Sequence, residues 1–294
     1  MKVSVERRIF EVVNLLIMLG LCAVIVLPFM HIIAVSLSNA QAITRMEVGL
    51  IPKGFYLNAY EKMVANNVFL KAFVNTIFIT LIYTSLAILI CVMSAYAFSR
   101  KFYGKRFFNY YFIITMYFNG GLIPTYIWVA KYLKMYNTFL VLIIPGLVSI
   151  FYIIVVRTQI EQIPISLTEA AIIDGANQFQ VLFKIIIPTI KPTIAAICMF
   201  MILGKWNGWF DVLVYIRDKD KWMLQYYLRE VVFTASMSKD LQDMAAVKLD
   251  EAINISPDNL KMAAIMLVAL PVLCVYPFVQ KYFVKGMLAG SVKG

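Results

Sequence analysis

Charge is scarce in this chain. Only 15% of its 294 residues are Asp, Glu, Lys or Arg, against roughly 25% in a soluble domain. Hydrophobic residues reach 62% and are blocked into long runs. That distribution argues against one large water-soluble core and indicates membrane spans. Histidine is nearly absent. His31 is the single one, so no histidine-based metal site can be built, and it is expected to cap the end of the first apolar run. The four cysteines, Cys22, Cys91, Cys198 and Cys274, lie far apart inside apolar runs without a CxxC pair. They suggest neither a disulfide framework nor a metal site and are expected to be buried, inert thiols. A phosphate-binding loop G-x-x-x-x-G-K-[ST] is also missing: Gly104-Lys105 lacks both the upstream glycine and the following Ser or Thr. The chain is therefore expected to bind no nucleotide and no other cofactor, and to catalyse nothing by itself. Internal repeats and low-complexity segments are lacking as well.

What is there is apolar length. Six runs qualify as spans, at about residues 12–35, 72–98, 107–129, 138–156, 193–213 and 262–283. The first follows a basic start, as in a signal peptide, and Ser38-Asn39-Ala40 resembles a cleavage site. A signal-peptide apolar region is only about 7–15 residues. This run of about 24 residues makes a helix of ~36 Å, enough to cross ~30 Å of hydrocarbon with tilt, and reads as a retained span. The expected fold is an all-α integral membrane protein, one domain over 1–294 with about six transmembrane helices.

An even number of spans puts both termini on one side. Lys2, Arg7 and Arg8 flank the first run; Arg100, Lys101, Lys105 and Arg106 crowd the second turn; Lys281, Lys285 and Lys293 follow the last. By the positive-inside rule this side is cytoplasmic. The net charge of +11 does not indicate nucleic acid, because the basic residues sit at the ends of apolar runs and form no basic face.

Three connections are long: 36–71 and about 214–261 outside, and 157–192 inside. The last external loop carries Trp222, Tyr226, Tyr227, Arg229 and Glu230. It ends at Ser256-Pro257-Asp258, which reads as an N-cap, a first helical position and a first-turn acid. The inside segment 164–192 reads PISLTEAAIIDGANQFQVLFKIIIPTIKP. Ser166 and Glu169 have the spacing of a capping box, so a helix is expected to start near Leu167. Gly175 can end it, because glycine accepts left-handed dihedrals at low cost. A second helical stretch, about 177–187, leads to Pro188 and the fifth span. The result is a short helix between two membrane helices, with a small-residue face at Ala170 and Ala171 that a second protein could approach closely.

The string Glu169-Ala170-Ala171, three residues, Gly175, nine residues, Ile185, one residue, Ile187-Pro188 resembles the EAA loop of ABC-importer permeases. The usual form has Leu before the proline, a conservative departure at Ile187. The resemblance implies that the loop is a coupling helix seated in a cleft of an ATPase subunit, with Glu169, Ala170, Ala171, Asp174 and Gly175 as the coupling residues. It extends over the whole chain: Asn119-Gly120-Gly121-Leu122-Ile123-Pro124 and Trp209-Phe210-Asp211 resemble carbohydrate permeases of the maltose-type class, nearest the branch importing alginate and other complex oligosaccharides. What this implies is a type I ABC importer permease fold in a bacterial cytoplasmic membrane. The implied partners are a homologous second permease, two copies of an ATP-binding subunit using ATP and Mg, an extracytoplasmic solute-binding protein, an oligosaccharide substrate and the lipid bilayer, with no nucleic acid.

Polar groups inside a span are costly and tend to mark pathways. Span three breaks at Asn119-Gly120-Gly121, and span five at Gly204-Lys205-Trp206-Asn207-Gly208, with Asp211 a turn later. Each break lies at about 18 Å depth, counting ~1.5 Å per residue from the cytoplasmic end. On a continuous helix Gly204, Asn207, Gly208 and Asp211 would share a face. Asn119, Asn207 and Asp211 can bond sugar hydroxyls, Trp206 or Trp209 can offer a flat apolar surface to a sugar ring, and Gly120 and Gly121 belong to the same candidate path. The competing reading is helix packing through Gly204-x-x-x-Gly208, with Lys205 snorkelling outward. Among functions, a secondary transporter or channel is the rival. It is disfavoured by the few intramembrane acids and leaves the EAA loop without a purpose. A membrane enzyme would need a His, Asp or Glu cluster, and none is evident. The external loop 214–261, nearly fifty residues long where a connector needs only a few, is expected to contact the binding protein through its aromatics. The maltose-type resemblance places a loop of that kind there.

Overall fold

The structure is a computed structural model describing residues 5–118, 120–244 and 256–291. Among the described residues all regular structure is helical. In chain order the α-helices are α1 Val5–Ser36, α2 Ala40–Thr44, α3 Asn58–Val64, α4 Asn67–Ser99, α5 Lys105–Tyr117, α6 Leu122–Ile127, α7 Leu140–Ile143, α8 Ile150–Glu161, α9 Ile165–Ile173, α10 Gln178–Val181, α11 Ile187–Thr189, α12 Lys191–Trp206, α13 Phe210–Tyr215, α14 Leu224–Met244 and α15 Pro257–Ser291. Wide π turns at Trp128–Tyr132 and Leu182–Ile186 follow α6 and α10.

Among the described residues three helices are each long and apolar enough to cross a membrane: Glu6–Ser36, Asn67–Ser99 and Pro257–Val275. Three more spans exist if each bent helix pair counts as one. Leu140–Gly146 and Ile150–Glu161 meet at 47°, Gln178–Thr189 and Lys191–Trp206 at 82°, and Lys105–Tyr117 joins Leu122–Tyr132 across the break at 118–121. Counted this way the described residues hold up to six spans, and the bent pair nearest the fifth expected run starts earlier, at Gln178, and ends at Trp206. The breaks have local causes. Gly121 holds φ +85 at the start of α6, a region that favours glycine. At the 82° break, Ile190 leaves helical dihedrals (φ −98, ψ 16) and Pro192 sits in the first turn of α12, where a continuous helix would drive its ring against the carbonyl four residues back. The π turn earlier in the first piece accommodates Pro188, with Ile187 N–H donating to Leu182 O.

The chain divides into two compact units, residues 1–69 with 228–270 and residues 70–227 with 271–294. In the first, Ala34, Val35 and Val48 form a small core with Ala42, Ile43 and Met262. Ser256 caps α15 as its sequence suggests, its Oγ accepting from Asn259 N–H at 3.1 Å. Asn259 is itself buried. Its amide donates to Val35 O, Ser36 O and Ser38 O at 2.9, 3.2 and 3.3 Å, carbonyls at and just beyond the end of α1. His31 does not cap α1, which continues to Ser36; its Nδ1 bonds Gly49 O at 2.8 Å instead.

Among its described residues the second unit has two apolar clusters. One joins Ala87, Cys91, Val92, Ala95 and Tyr96 of α4 to Ile153, Val156 and Ile160 of α8 and to Val181, Leu182, Ile186, Ile190, Ile197 and Met201 further on. The other holds Ile79, Val129, Leu142, Val212, Tyr215, Met223 and Tyr226, with Trp222 against it. All four cysteines are free. Cys91 alone is fully buried, and Cys22 and Cys274 lie exposed on apolar helices. That corrects the expectation of four buried thiols.

One end of the second unit is tied by a polar knot that no short sequence pattern announces. Asn137, at φ +57, donates from Nδ2 to Asp218 Oδ2 at 2.8 Å, and its Oδ1 accepts from the Arg217 and Asp218 N–H groups at 3.1 Å. Lys221 Nζ donates to Asn137 O at 2.8 Å and to Asp218 Oδ2 at 2.9 Å. Nearby, Lys71 Nζ meets Asp220 Oδ1 at 2.9 Å, Asn75 Nδ2 donates to Asp220 O and Trp222 O, and Leu224 N–H donates to the Thr76 hydroxyl at 2.7 Å. These bonds join the start of α4, the turn after the first π segment and the strip leading to α14.

Candidate functional site

Two regions of the second unit carry the residues singled out by the sequence. The first is the segment 164–192. α9 begins at Ile165, two residues earlier than expected, with Pro164 as the cap residue and no side-chain cap. Ser166 therefore sits inside the first turn, and the Ser166–Glu169 capping box does not form. Pro164 at φ −54 and ψ 128 sets the chain direction before the serine can. The capping box lies further on: Asn177 Oδ1 accepts from Gln180 N–H at 2.9 Å, and Gln180 Oε1 accepts from Asn177 N–H at 2.8 Å. The pattern N-x-x-Q could have been read from sequence by the same rule.

Gly175 does end α9. Its φ is +84. Ala176 N–H donates to Ala171 O at 2.9 Å and Gly175 N–H to Ile172 O at 3.0 Å, the two bonds of a Schellman turn. Among the described residues a Cβ on Gly175 would meet nothing within 4 Å, so the glycine is required here by dihedral and not by crowding against them. α9 is largely uncovered. Thr168 is its single fully buried residue; Ile165, Leu167, Ile172 and Ile173 are exposed, Ile173 to 84%. Glu169 and Ala170 are exposed, whereas Ala171 packs with Ala176 against the chain's own core. The small-residue face is thus split, one alanine outward and one inward. Ala171, Asp174, Gly175, Gln180 and Lys184 line an open groove beside the turn. The following stretch is anchored, with Val181, Leu182 and Ile186 buried.

The second region is the span breaks. Asn119 lies outside the described residues. Gly120 and Gly121 have open space where a Cβ would stand. α12 ends at Trp206, Asn207 is its C-cap, and α13 starts afresh at Phe210. Gly204, Asn207, Gly208 and Asp211 therefore do not share one continuous helix face. Gly208 is crowded by backbone: a Cβ would stand 3.2 Å from Lys205 O. Among the described residues Gly204 has nothing within 4 Å of its Cβ position and makes no close Gly-x-x-x-Gly contact. Trp206 is buried, edge-on to the Phe73 ring at 6.3 Å. Its indole N–H has no hydrogen-bond partner among the described residues. Asn207 Oδ1 accepts from Gln225 Nε2 at 2.9 Å. Trp209 is half-buried and meets the Phe210 ring edge-on at 5.6 Å.

Lys205 does not snorkel outward. Its side chain is 12% exposed and its Nζ stands 4.0 Å from Asp211 Oδ2. The same nitrogen lies 4.6 Å from the centre of the Tyr83 ring, a cation–π distance. Tyr83 is fixed in turn by its hydroxyl, which donates to Gly146 O at 2.9 Å. The Lys205 ammonium is thus held in place by a ring and a carboxylate, at the break where the sequence placed the solute path.

The aromatics of the last long connection turn inward. Tyr226 and Tyr227 are buried, and Trp222 meets Tyr226 edge-on at 4.9 Å. That departs from the expectation that they face a partner. Apolar rings at a membrane protein's end serve core and interface equally well by composition, and here the core beneath α14 takes them.

Residues 51–289 match the family described as binding-protein-dependent transport system inner membrane component. The chain belongs to this family: it is a multi-pass permease subunit of an ABC importer, with the type I permease fold. It is 37% identical over 290 residues to Protein LplC of Bacillus subtilis, covering 98% of this chain and 96% of that one. It is 34% identical over 291 residues to the polygalacturonan/rhamnogalacturonan transport system permease protein YtcP of the same organism, covering 98% and 100%. It superimposes with a TM-score of 0.86, at 30% identity and covering 96% and 99%, on a chain of a bacterial ABC transporter involved in the import of the acidic polysaccharide alginate.

Proposed function

We propose that this chain is one half of the membrane channel of a sugar importer. It passes an oligosaccharide or polysaccharide fragment, received from an extracytoplasmic binding protein, into the cytoplasm. The observation that carries this reading is α9, a nine-residue helix left apolar and uncovered between spans, with its following turn anchored in the core. It docks on a separate ATP-binding subunit, present in two copies, which uses ATP and Mg; Glu169, Ala170, Ala171, Asp174 and Gly175 form the coupling surface. A homologous second permease completes the channel. Both termini face the cytoplasm, and the whole chain acts as one permease domain.

The solute path runs by the breaks at 119–121 and 204–211, with Gly120, Gly121, Asn207, Trp209 and Asp211 nearest it, Trp206 bracing the wall and Asn119 a further contact. The relatives named for polygalacturonan and for the acidic polysaccharide alginate make uronic-acid oligomers the first candidates. Lys205 supplies a cationic group beside the path. The test is uptake into proteoliposomes holding both permeases and the ATPase, with ATP inside and binding protein outside, offered uronic-acid and neutral oligosaccharides. ATP-dependent uptake of a sugar is expected. Uptake driven by an ion gradient with the ATPase subunit left out refutes the reading in favour of a secondary transporter.

A further inference from the structure

The segment 164–192 meets the rest of the chain almost wholly through apolar contacts. Val181, Leu182 and Ile186 lie against Ala87, Cys91, Val92 and Ala95. Such contacts are non-directional, and a helix resting on them alone can slide. One polar bond crosses the same seam. Tyr96, 8% exposed near the end of α4, donates its hydroxyl to Gln178 Oε1 at 2.5 Å. The same hydroxyl accepts from Arg100 Nη2 at 2.8 Å, and the guanidinium carbon lies 4.7 Å from the Tyr96 ring centre. Among the described residues no other side-chain hydrogen bond joins 164–192 to another helix.

Gln178 opens α10 immediately after the Asn177 cap. It lies three positions beyond Gly175, where the Schellman turn reverses the chain. The bond therefore joins α4 to the rigid corner at the foot of α9. Arg100 strengthens it: a cation donating to the phenol oxygen makes the phenol proton a better donor, and hydrogen bonds in a chain reinforce one another where water is scarce.

We propose that Tyr96 is a positioning residue for energy coupling. Its hydroxyl fixes the register of α10 on α4, so that a push on α9 moves the membrane helices and is not lost as sliding at an apolar seam. This rests on the reading of α9 as the contact with the ATPase. Tyr96→Phe removes the donor and keeps the ring; Gln178→Leu removes the acceptor; Gln178→Glu keeps an acceptor in reach of Tyr96.

The measurement is sugar taken up per ATP hydrolysed, in proteoliposomes with saturating loaded binding protein, alongside the yield and melting temperature of the purified complex. Tyr96→Phe and Gln178→Leu are expected each to lower the ratio at least fivefold. Their combination should lower it no further, and Gln178→Glu should keep the parental ratio. A parental ratio in Tyr96→Phe overturns the proposal, as does a loss of yield or melting temperature with the ratio unchanged, which would make Tyr96 a stabilising residue only. If the parental complex itself takes up no sugar with ATP, the importer reading has failed and this proposal falls with it.

Discussion

Substituting Gly175 separates two reasons for a glycine at the foot of α9. The backbone there stands at φ +84, and among the described residues no atom lies within 4 Å of where a Cβ would be. Alanine therefore meets no clash with them; its cost is that of a left-handed L-residue, roughly 1–2 kcal/mol. That changes the ratio of closed to open turn by about 5- to 30-fold. Asparagine tolerates the same dihedral, so its intramolecular cost is smaller. Leucine carries the alanine penalty plus a bulky side chain projecting into the open groove beside Asp174 and Lys184. If the turn alone matters, sugar-stimulated ATP hydrolysis should fall in the order glycine, asparagine, then alanine and leucine together. If the ATPase subunit approaches the turn closely, the order follows side-chain size, and Gly175→Leu inserts and assembles yet loses transport-linked hydrolysis. The assay is hydrolysis by the reconstituted complex with and without loaded binding protein. Parental stimulation in a fully assembled Gly175→Leu complex refutes both arguments.

Glu169 makes no capping bond, so Glu169→Gln should keep complex formation, and Glu169→Lys should impair co-purification of the ATPase subunit severalfold; equal, small effects would leave its charge without a role. Asn137→Ala removes three side-chain bonds of the polar knot and puts alanine at φ +57. At about 1 kcal/mol per bond, the expected loss is ~2–3 kcal/mol, read as a lower melting temperature of the detergent-solubilised chain, and an unchanged melt would contradict it. Hydrogen bonds from Lys221 and Asn137 hold the Asp218 carboxyl below its ordinary value of 3.8. Its folded-state pKa is the lower one, so its contribution is complete above pH 3.8 and is lost as pH falls through the depressed value. Asp218→Asn should flatten that acid limb of the melting curve, and an unaltered limb would show that other carboxylates set it. Trimming 236–243 from α14 should weaken stimulation by loaded binding protein while assembly is kept; parental stimulation after trimming would refute a releasing role for that stretch.

Features with a local physical cause were legible from the residues. Gly175 was readable because few other residues accept its dihedral, and Ser256 because Pro257 and Asp258 follow it in the order a helix start requires. The capping box shows where local reading divides. Ser166-x-x-Glu169 and Asn177-x-x-Gln180 satisfy the same rule, and only the second forms. Pro164 decided against the first by starting the helix before the serine. Lys205 was unreadable for a different reason. A lysine at a helix end can snorkel as readily as fold back, and the choice here depends on Tyr83, more than a hundred positions earlier in the chain. The knot at Asn137 likewise gathers residues from three stretches, none of them unusual in sequence. Trp222 and Tyr226 carried an ambiguous signal, since large aromatics suit both a partner's surface and the chain's own core.

The exposed apolar residues of α9 fit the split between what is anchored and what is left free. An isolated helix of this length is marginal in water, because nucleation costs more than its few hydrogen bonds return. α9 has one fully buried residue, so its own packing contributes little. It is held from its ends instead: by the Schellman turn at Gly175, by the Asn177–Gln180 box beyond it, and by Thr168 Oγ1, which donates to Ile165 O at 2.9 Å. Covering Ile165, Leu167, Ile172 and Ile173 would contribute up to about 1.5–3 kcal/mol for each side chain fully removed from water. A partner that covers them therefore stabilises the helix and binds it in the same step. A helix that packed fully on its own chain would offer that partner nothing to gain. One with no anchor would follow the partner without moving the spans. The sequence meets both conditions by spending Val181, Leu182 and Ile186 on the core and leaving the isoleucines of α9 outside it.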